Sequence, residues 1–207
     1  GTAAGGGPSD GAARAALPLL RQALLNVAHP AIRNRGTIGG SAALGDPAAE
    51  MPALLIAMGA TLALRSLSSA RTVPADEFFL GLYETALKDG EIIEFISIPK
   101  WGSADQIGFY ELARRHGDYA MAGVALVHRA AGALAGQRVV FFAISDRPLR
   151  APDVERLLMN GDTEGRTDEI KHAIGRLDFH GDLNADAATK QHLASVVLSR
   201  AMTELDA

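Results

Sequence analysis

The sequence predicts an α+β fold, and three observations carry that prediction. Apolar residues recur at helical spacing near the start of the chain and again over its last third. Between them lie short β-rich segments bounded by glycine, proline and aspartate. From residue 106 onward, three strand-like segments are followed by three helix-like ones, the order expected when helices pack against an antiparallel sheet.

Residues 1–12, GTAAGGGPSDGA, are small and poor in apolar bulk, and read as a flexible leader. Residues 13–28 read as an amphipathic helix with Leu17, Leu20, Leu24 and Val27 on its buried stripe, stopped by His29-Pro30. The run that follows, centred on Arg35-Gly36-Thr37-Ile38-Gly39-Gly40-Ser41, carries too many glycines for a regular element. A helix is predicted over 47–58, with Asp46 as its N-cap and Pro47 at the first helical position. Residues 60–65 and 71–73 read as strands, 74–82 as a short helix or turn burying Phe78 and Phe79, and 91–98 as a strand ended by Pro99. The polar stretch KWGSAD at 100–105 marks a boundary. Strands at 106–114, 120–129 and 137–145 then form an antiparallel meander. Helices follow at 151–160, 164–176 and 186–205, the last with Leu193, Val196, Val197 and Met202 on or near one face.

Bulk properties exclude several function classes. A net charge of −4 with scattered Lys and Arg argues against a general nucleic-acid binder, which needs a basic stripe. The chain has no cysteine, so it holds no disulfide, thiolate zinc site or cysteine-ligated iron–sulfur cluster. No apolar run reaches the roughly 18 residues needed to span a bilayer; the longest, from Met51 to Leu64, is broken by Pro52, Gly59 and Thr61. His29, His116, His128, His172, His180 and His192 show no metal-ligand spacing. Gly-x-Ser-x-Gly is absent, so a hydrolase triad has no anchor. Trp101, just after Pro99, reads as packing or as an interface anchor, and Arg114-Arg115 as a solvated turn or a phosphate or partner contact.

The segment from Ile32 to Leu55 carries the chemistry. Paired glycines permit close backbone approach to a ligand, and successive backbone N–H groups form a nest for phosphate oxygens. Thr37 and Ser41 add hydroxyls, and the Asp46-Pro47 helix start follows, favouring anionic groups. Glu50 lies one turn on, placed to accept bonds from ribose or ribityl hydroxyls. These features fit a nucleotide-type cofactor loop and equally a tight turn feeding a helix. The loop is neither a Walker motif nor a dinucleotide fingerprint, since GKS/T and G-x-G-x-x-G are both missing. Asp118-Tyr119 reads by itself as a turn followed by a half-buried strand residue.

The run IRNRGTIGGSAALGDPAAEMPALLIAMGATLAL, with RTVPADEFFLGLYETALKDGEIIEFISIP and FYELARRHGDYAMAGVAL after it, resembles the medium subunits of molybdenum hydroxylases. That family includes carbon monoxide dehydrogenase, bacterial N-heterocycle dehydrogenases and the flavin domain of xanthine dehydrogenase. The resemblance spans residues 17–207. It implies the C-terminal part of a PCMH-type FAD-binding domain at 13–103, then an α+β domain at 104–207 with a three-stranded antiparallel sheet and a helical bundle. It implies FAD in this chain, with the molybdenum cofactor in a large partner subunit and 2Fe-2S clusters in a small one. Electrons would pass from those clusters to FAD and on to an external acceptor, in a cytoplasmic dimer of heterotrimers. By the same resemblance Thr37, Ile38, Gly39 and Gly40 lie against the FAD pyrophosphate. Ser41 takes a position often held by Asn. Asp46 and Glu50 make polar contacts to the ribityl and phosphate region, and Asp118 and Tyr119 lie near the isoalloxazine, with Tyr119 over one ring face. No residue here is expected to act as a general acid or base on the organic substrate.

Family members carry an α/β half with a further glycine-rich loop before these motifs, and that half is expected to be missing here. Ala4-Gly5-Gly6-Gly7-Pro8-Ser9 echoes the loop and reads as linker. The alternative expectation is therefore a flavin-free assembly or scaffold fragment of the same subunit. A stand-alone flavoenzyme of the vanillyl-alcohol or peptidoglycan-precursor type fits less well, because no substrate-binding catalytic set is visible.

Overall fold

The computed structural model describes residues 18–24, 26, 34–115, 117–132, 134–159 and 165–205. The leader at 1–12, the echo at Ala4–Ser9, the His29-Pro30 stop, and the residues Leu17, Val27 and His116 lie outside the described residues.

The first helix, α1, runs Pro18–Leu24. Leu19 and Ala23 are its fully buried positions, four residues apart. Leu20 is half-buried, and Leu24 is 40% exposed rather than part of the buried stripe, so the stripe is rotated from the predicted one. The glycine-rich run is helical, against expectation: α2 spans Ile38–Leu44. Thr37 caps it, in extended backbone, with its side chain accepting from the Gly40 N–H at 3.0 Å. Gly45 ends it in the left-handed region at φ 64, where an added Cβ would meet Thr85 Cγ2 at 2.8 Å. The next helix, α3, begins at Glu50 and ends at Ala57, later than predicted. Asp46 caps a turn instead of the helix, its Oδ1 accepting from the Ala48 N–H at 2.9 Å. Ala49 is the N-cap and gives no side-chain bond.

Every residue of α3 from Met51 to Ala57 is buried, so it is apolar all round. It sits between two sheets. One is built from β1 (Thr61–Arg65), β2 (Ala70–Pro74) and β5 (Ile92–Ser97), antiparallel in the order β2-β1-β5. Between β2 and β5 lie a 3-10 turn, Ala75–Glu77, and a small hairpin of β3 (Phe79–Gly81) and β4 (Glu84–Thr85). Phe78 and Phe79 are buried as predicted, their rings edge-to-face at 5.1 Å.

The other sheet is the predicted meander. It comprises β6 (Gln106–Ala113), β7 (Ala120–Arg129) and β8 (Gly136–Phe142), with β9 (Leu149–Arg150) adding a two-residue edge. Its central strands are buried on both faces. Phe109, Ala125, Val127, Val140 and Phe142 point to the core around α3, and the rings of Phe109 and Phe142 stack at 5.8 Å. Val124, Leu126, Val139 and Phe141 point the other way, into a second core. That core is closed by α4 (Pro152–Leu158), α5 (Thr167–Ile174) and α6 (Ala187–Leu205). The buried stripe of α6 is Ala194, Val197, Leu198 and Ala201, with Leu193 and Met202 at its margins. Val196, predicted on or near that face, is outside the core and lines a shallow surface depression.

Arg138 of β8 ties the two sides together. Its guanidinium donates to the Ile56 carbonyl at 3.1 and 2.8 Å and to Asp76 at 2.7 and 2.8 Å. The last turn of α3 thereby gains a buried cation on a carbonyl that also accepts from the Gly59 N–H at 2.9 Å. Trp101 packs against the first core and lies under the Arg129 guanidinium at 4.6 Å, which makes it a packing residue.

Candidate cofactor site

The glycine turn, the start of α3 and the turn before β7 converge on one cavity of about 580 Å³. Its lining includes Thr37, Ile38, Gly40, Ser41, Asp46, Glu50, Asp118 and Tyr119. Of the nine residues singled out in the sequence, Gly39 alone is absent from the lining.

Thr37 builds the turn. Its carbonyl accepts from the Ser41 N–H at 3.0 Å while its hydroxyl takes the Gly40 N–H, so α2 starts tightly. A Cβ at position 40 would meet Thr37 Oγ1 at 2.9 Å, which is why glycine stands there. The N–H groups of Ile38 and Gly39, at the first two helical positions, have no acceptor within the helix. Arg35 and Gly36 lie beside them on the wall.

The segment bearing Asp46 is fixed from beneath. Ala143, just past β8, holds a left-handed backbone at φ 61, and its N–H donates to the Pro47 carbonyl at 2.8 Å. The Ala143 carbonyl accepts from Lys190 Nζ of α6 at 2.6 Å. Lys190 is 3% exposed and also bonds Asp182 at 2.7 Å. A path of hydrogen bonds thus runs from α6 through the sheet edge to the cavity wall.

Asp46 is 5% exposed. Its charge is the main cause that holds the Tyr119 phenol above its ordinary range, with desolvation second. Tyr119 itself is 65% exposed, a large ring at the mouth with one side free. Burial pushes the Glu50 carboxyl up, and neighbouring Asp46 adds to the push. The carboxylates at the start of α3 make that end a place for hydroxyl donors, not for the anionic groups expected there. Leu24, Leu44 and Met51 supply apolar wall.

Sequence reasoning did not name Arg35 or Leu44, which adjoin the glycine run, as lining residues, and it missed Leu24 and Met51, which the fold brings to the cavity. It also missed Glu111. This glutamate follows Phe109 on the face of β6 that points to the first core. Its Oε2 is buried and has no hydrogen-bond partner among the described residues. Burial, with Glu50 second, pushes its carboxyl up to about 7. The signal was present: an acidic residue at an inward position of an otherwise apolar strand.

Among the described residues no group of three or more potential ligands is placed to hold a metal ion. No helix among them is long and apolar enough to cross a membrane. The glycine turn, the carboxyls at the start of α3 and the exposed ring of Tyr119 give the cavity a lining suited to a nucleotide-type cofactor. Residues 9–101 match a family described as the FAD binding domain in molybdopterin dehydrogenase, and residues 108–205 match the CO dehydrogenase flavoprotein C-terminal domain. The chain is 34% identical to the nicotine 6-hydroxylase medium subunit of Paenarthrobacter nicotinovorans, over 92% of this chain and 68% of that one. It is 36% identical to the carbon monoxide dehydrogenase medium chain of Hydrogenophaga pseudoflava, over 91% and 67%. Its fold superposes on the solved carbon monoxide dehydrogenase of the same organism with a TM-score of 0.86, covering 93% of this chain and 68% of that chain at 36% identity. Quinoline 2-oxidoreductase from Pseudomonas putida 86 gives 0.84, over 95% and 70%, at 32% identity.

The chain belongs to the FAD-binding medium subunits of the molybdenum hydroxylases, oxidoreductases built from several subunits. It spans about two thirds of the length of these relatives.

Proposed function

We propose that this chain carries FAD in the cavity between α2, α3 and the start of β7, and relays electrons through it. In this reading they arrive from iron–sulfur clusters of a small partner subunit, are supplied there by a large molybdenum-cofactor subunit, and leave to an external acceptor. The assembly is a cytoplasmic dimer of heterotrimers. Thr37, Ile38, Gly39, Gly40, Ser41, Asp46, Glu50, Asp118 and Tyr119 are the flavin contacts. The observation that carries the reading is the gathering of all but Gly39 around one cavity. We also divide the chain functionally at residue 103, into the second half of the flavin domain at 13–103 and the α+β domain at 104–207, behind a leader at 1–12.

The cavity fits the cofactor chemically. FAD supplies the electron transfer itself; the protein supplies placement and electrostatics. Arg35 and the N–H groups of Ile38 and Gly39 offer positive character to the pyrophosphate. Asp46 and Glu50 accept hydrogen bonds from ribityl or ribose hydroxyls. Tyr119 offers a ring face to the isoalloxazine and excludes water from it.

A titration of the full chain with FAD, followed by absorbance and flavin fluorescence, tests the assignment. The cavity is open, so weak binding saturating at one flavin per chain is expected. Gly40→Ala pushes the turn apart and should abolish that binding while the circular dichroism spectrum is kept. Binding that survives both Gly40→Ala and Tyr119→Ala would sink the assignment.

A further inference from the structure

Glu111 is an acidic side chain that the reading of the cavity leaves without a task. It sits on β6, two residues beyond Phe109 on the same face. Its Oε2 is shielded from water and meets no donor among the described residues. A carboxylate in that position would stand unpaired, and an unpaired buried charge is costly.

Among the described residues, the surroundings supply no cation to it. Across the strand pair, Gly123 of β7 opposes Glu111 and brings no side chain. From α3 the group that acts on it is Glu50, which lines the cavity. Asp46 acts on Glu50 in turn. The charged residue of α1, which packs on β6, is Arg21, and it is exposed. Helix α6 packs on the opposite face of the strand, through Tyr110 and Leu112. Two coupled carboxyls in such a place do not both ionise readily, and the one without donors keeps the proton.

We propose that Glu111 sets the pH dependence of the flavin site: while it holds its proton, the Glu50–Glu111 pair carries a single negative charge, on Glu50, which accepts the cofactor's hydroxyl groups. The proposal rests on the cavity being the FAD site. Proton movement here needs no redox partner: when Glu111 is neutral, the single negative charge of the pair sits on Glu50. When Glu111 loses its proton to solvent, a second negative charge lies behind Glu50 and near an anionic cofactor. That second charge repels the anionic cofactor and weakens its binding.

Glu111 is neutral below about pH 7 and ionises above it. FAD affinity is therefore full on the acid side and falls as the pH rises. With complete linkage the fall is up to about tenfold between roughly pH 6 and pH 8. Bound FAD raises the proton affinity of Glu111 by the same reciprocity.

The test uses the full chain and two readouts. FAD is titrated across that pH range into the wild type, Glu111→Gln and Glu111→Leu. Infrared difference spectra of the ligand-free proteins follow the C=O stretch of a protonated carboxylic acid. The wild type should show a carboxylic-acid band that disappears as pH rises through about 7 and is missing in both variants. Both variants should bind FAD with the wild type's acid-side affinity and no slope with pH. Absence of the band near neutrality, or a variant that keeps the wild-type pH slope, overturns the proposal. A chain that shows the band yet binds no FAD at any pH overturns the flavin-site reading, and the role of Glu111 with it.

Discussion

The two faces of the β6–β9 sheet end differently. On one face Val124, Leu126, Val139 and Phe141 meet α4, α5 and α6 and are sealed. On the other, Phe109, Val140 and Phe142 meet α3, but the same strand face carries Glu111, and Glu50, whose charge acts on it, lines an open cavity with Asp46. The sealed face is governed by area buried and shape fit. The open face gives up burial to hold turns and carboxyls in position. Stability and binding should therefore separate by face when residues are changed.

The sharpest way to break the comparison is Phe141→Ala on the sealed face. Phe141 is fully buried, and its loss should cost about 3–5 kcal/mol in a denaturant unfolding curve. FAD affinity measured well below the midpoint should hardly change. A joint loss of affinity would show that the faces do not act separately. Lys190→Met gives a smaller effect that crosses from one face to the other. It leaves the carbonyl of Ala143 and the carboxylate of Asp182 without their cation, at about 1–3 kcal/mol. Because Ala143 holds Pro47, this variant alone of the two should also weaken FAD binding. Smallest in stability is Tyr119→Ala. The ring is mostly exposed, so the change in unfolding free energy should stay within about 0.5 kcal/mol. FAD affinity should still fall, and an unchanged affinity would remove Tyr119 from the site.

The sealed face was the legible one. Alternation in β6, β7 and β8 and the apolar spacing in α6 both follow from burial, and burial is written in residue type. The open face was read in part. Two glycines within seven residues argue against a helix at roughly 1 kcal/mol each. Yet α2 forms, because Thr37 caps its start and Gly45 closes its end against Thr85. Those are tertiary and capping effects that composition does not show. Asp46 misled in the opposite direction. It has the chemistry of an N-cap but spends its oxygen on the turn at Ala48. The β3–β4 hairpin is too short to carry an alternation signal. The cavity lining at the glycine turn could be proposed from the sequence, whereas Leu24 and Met51 reach that cavity only through folding.

The strands β6, β7 and β8 are a party wall, with one tenant on each side. The two matched families abut between residues 101 and 108, but side chains on both surfaces of that wall are fully buried. Transplanting residues beyond 103 onto another flavin half would carry the wall and only one of its tenants. The recipient would have to present its own counterpart of α3, with a carbonyl at the place of Ile56 for Arg138 to grip. Chimeras of these subunits should therefore work when the graft includes residues 46–58 with the sheet, and aggregate when it is cut at the sequence boundary.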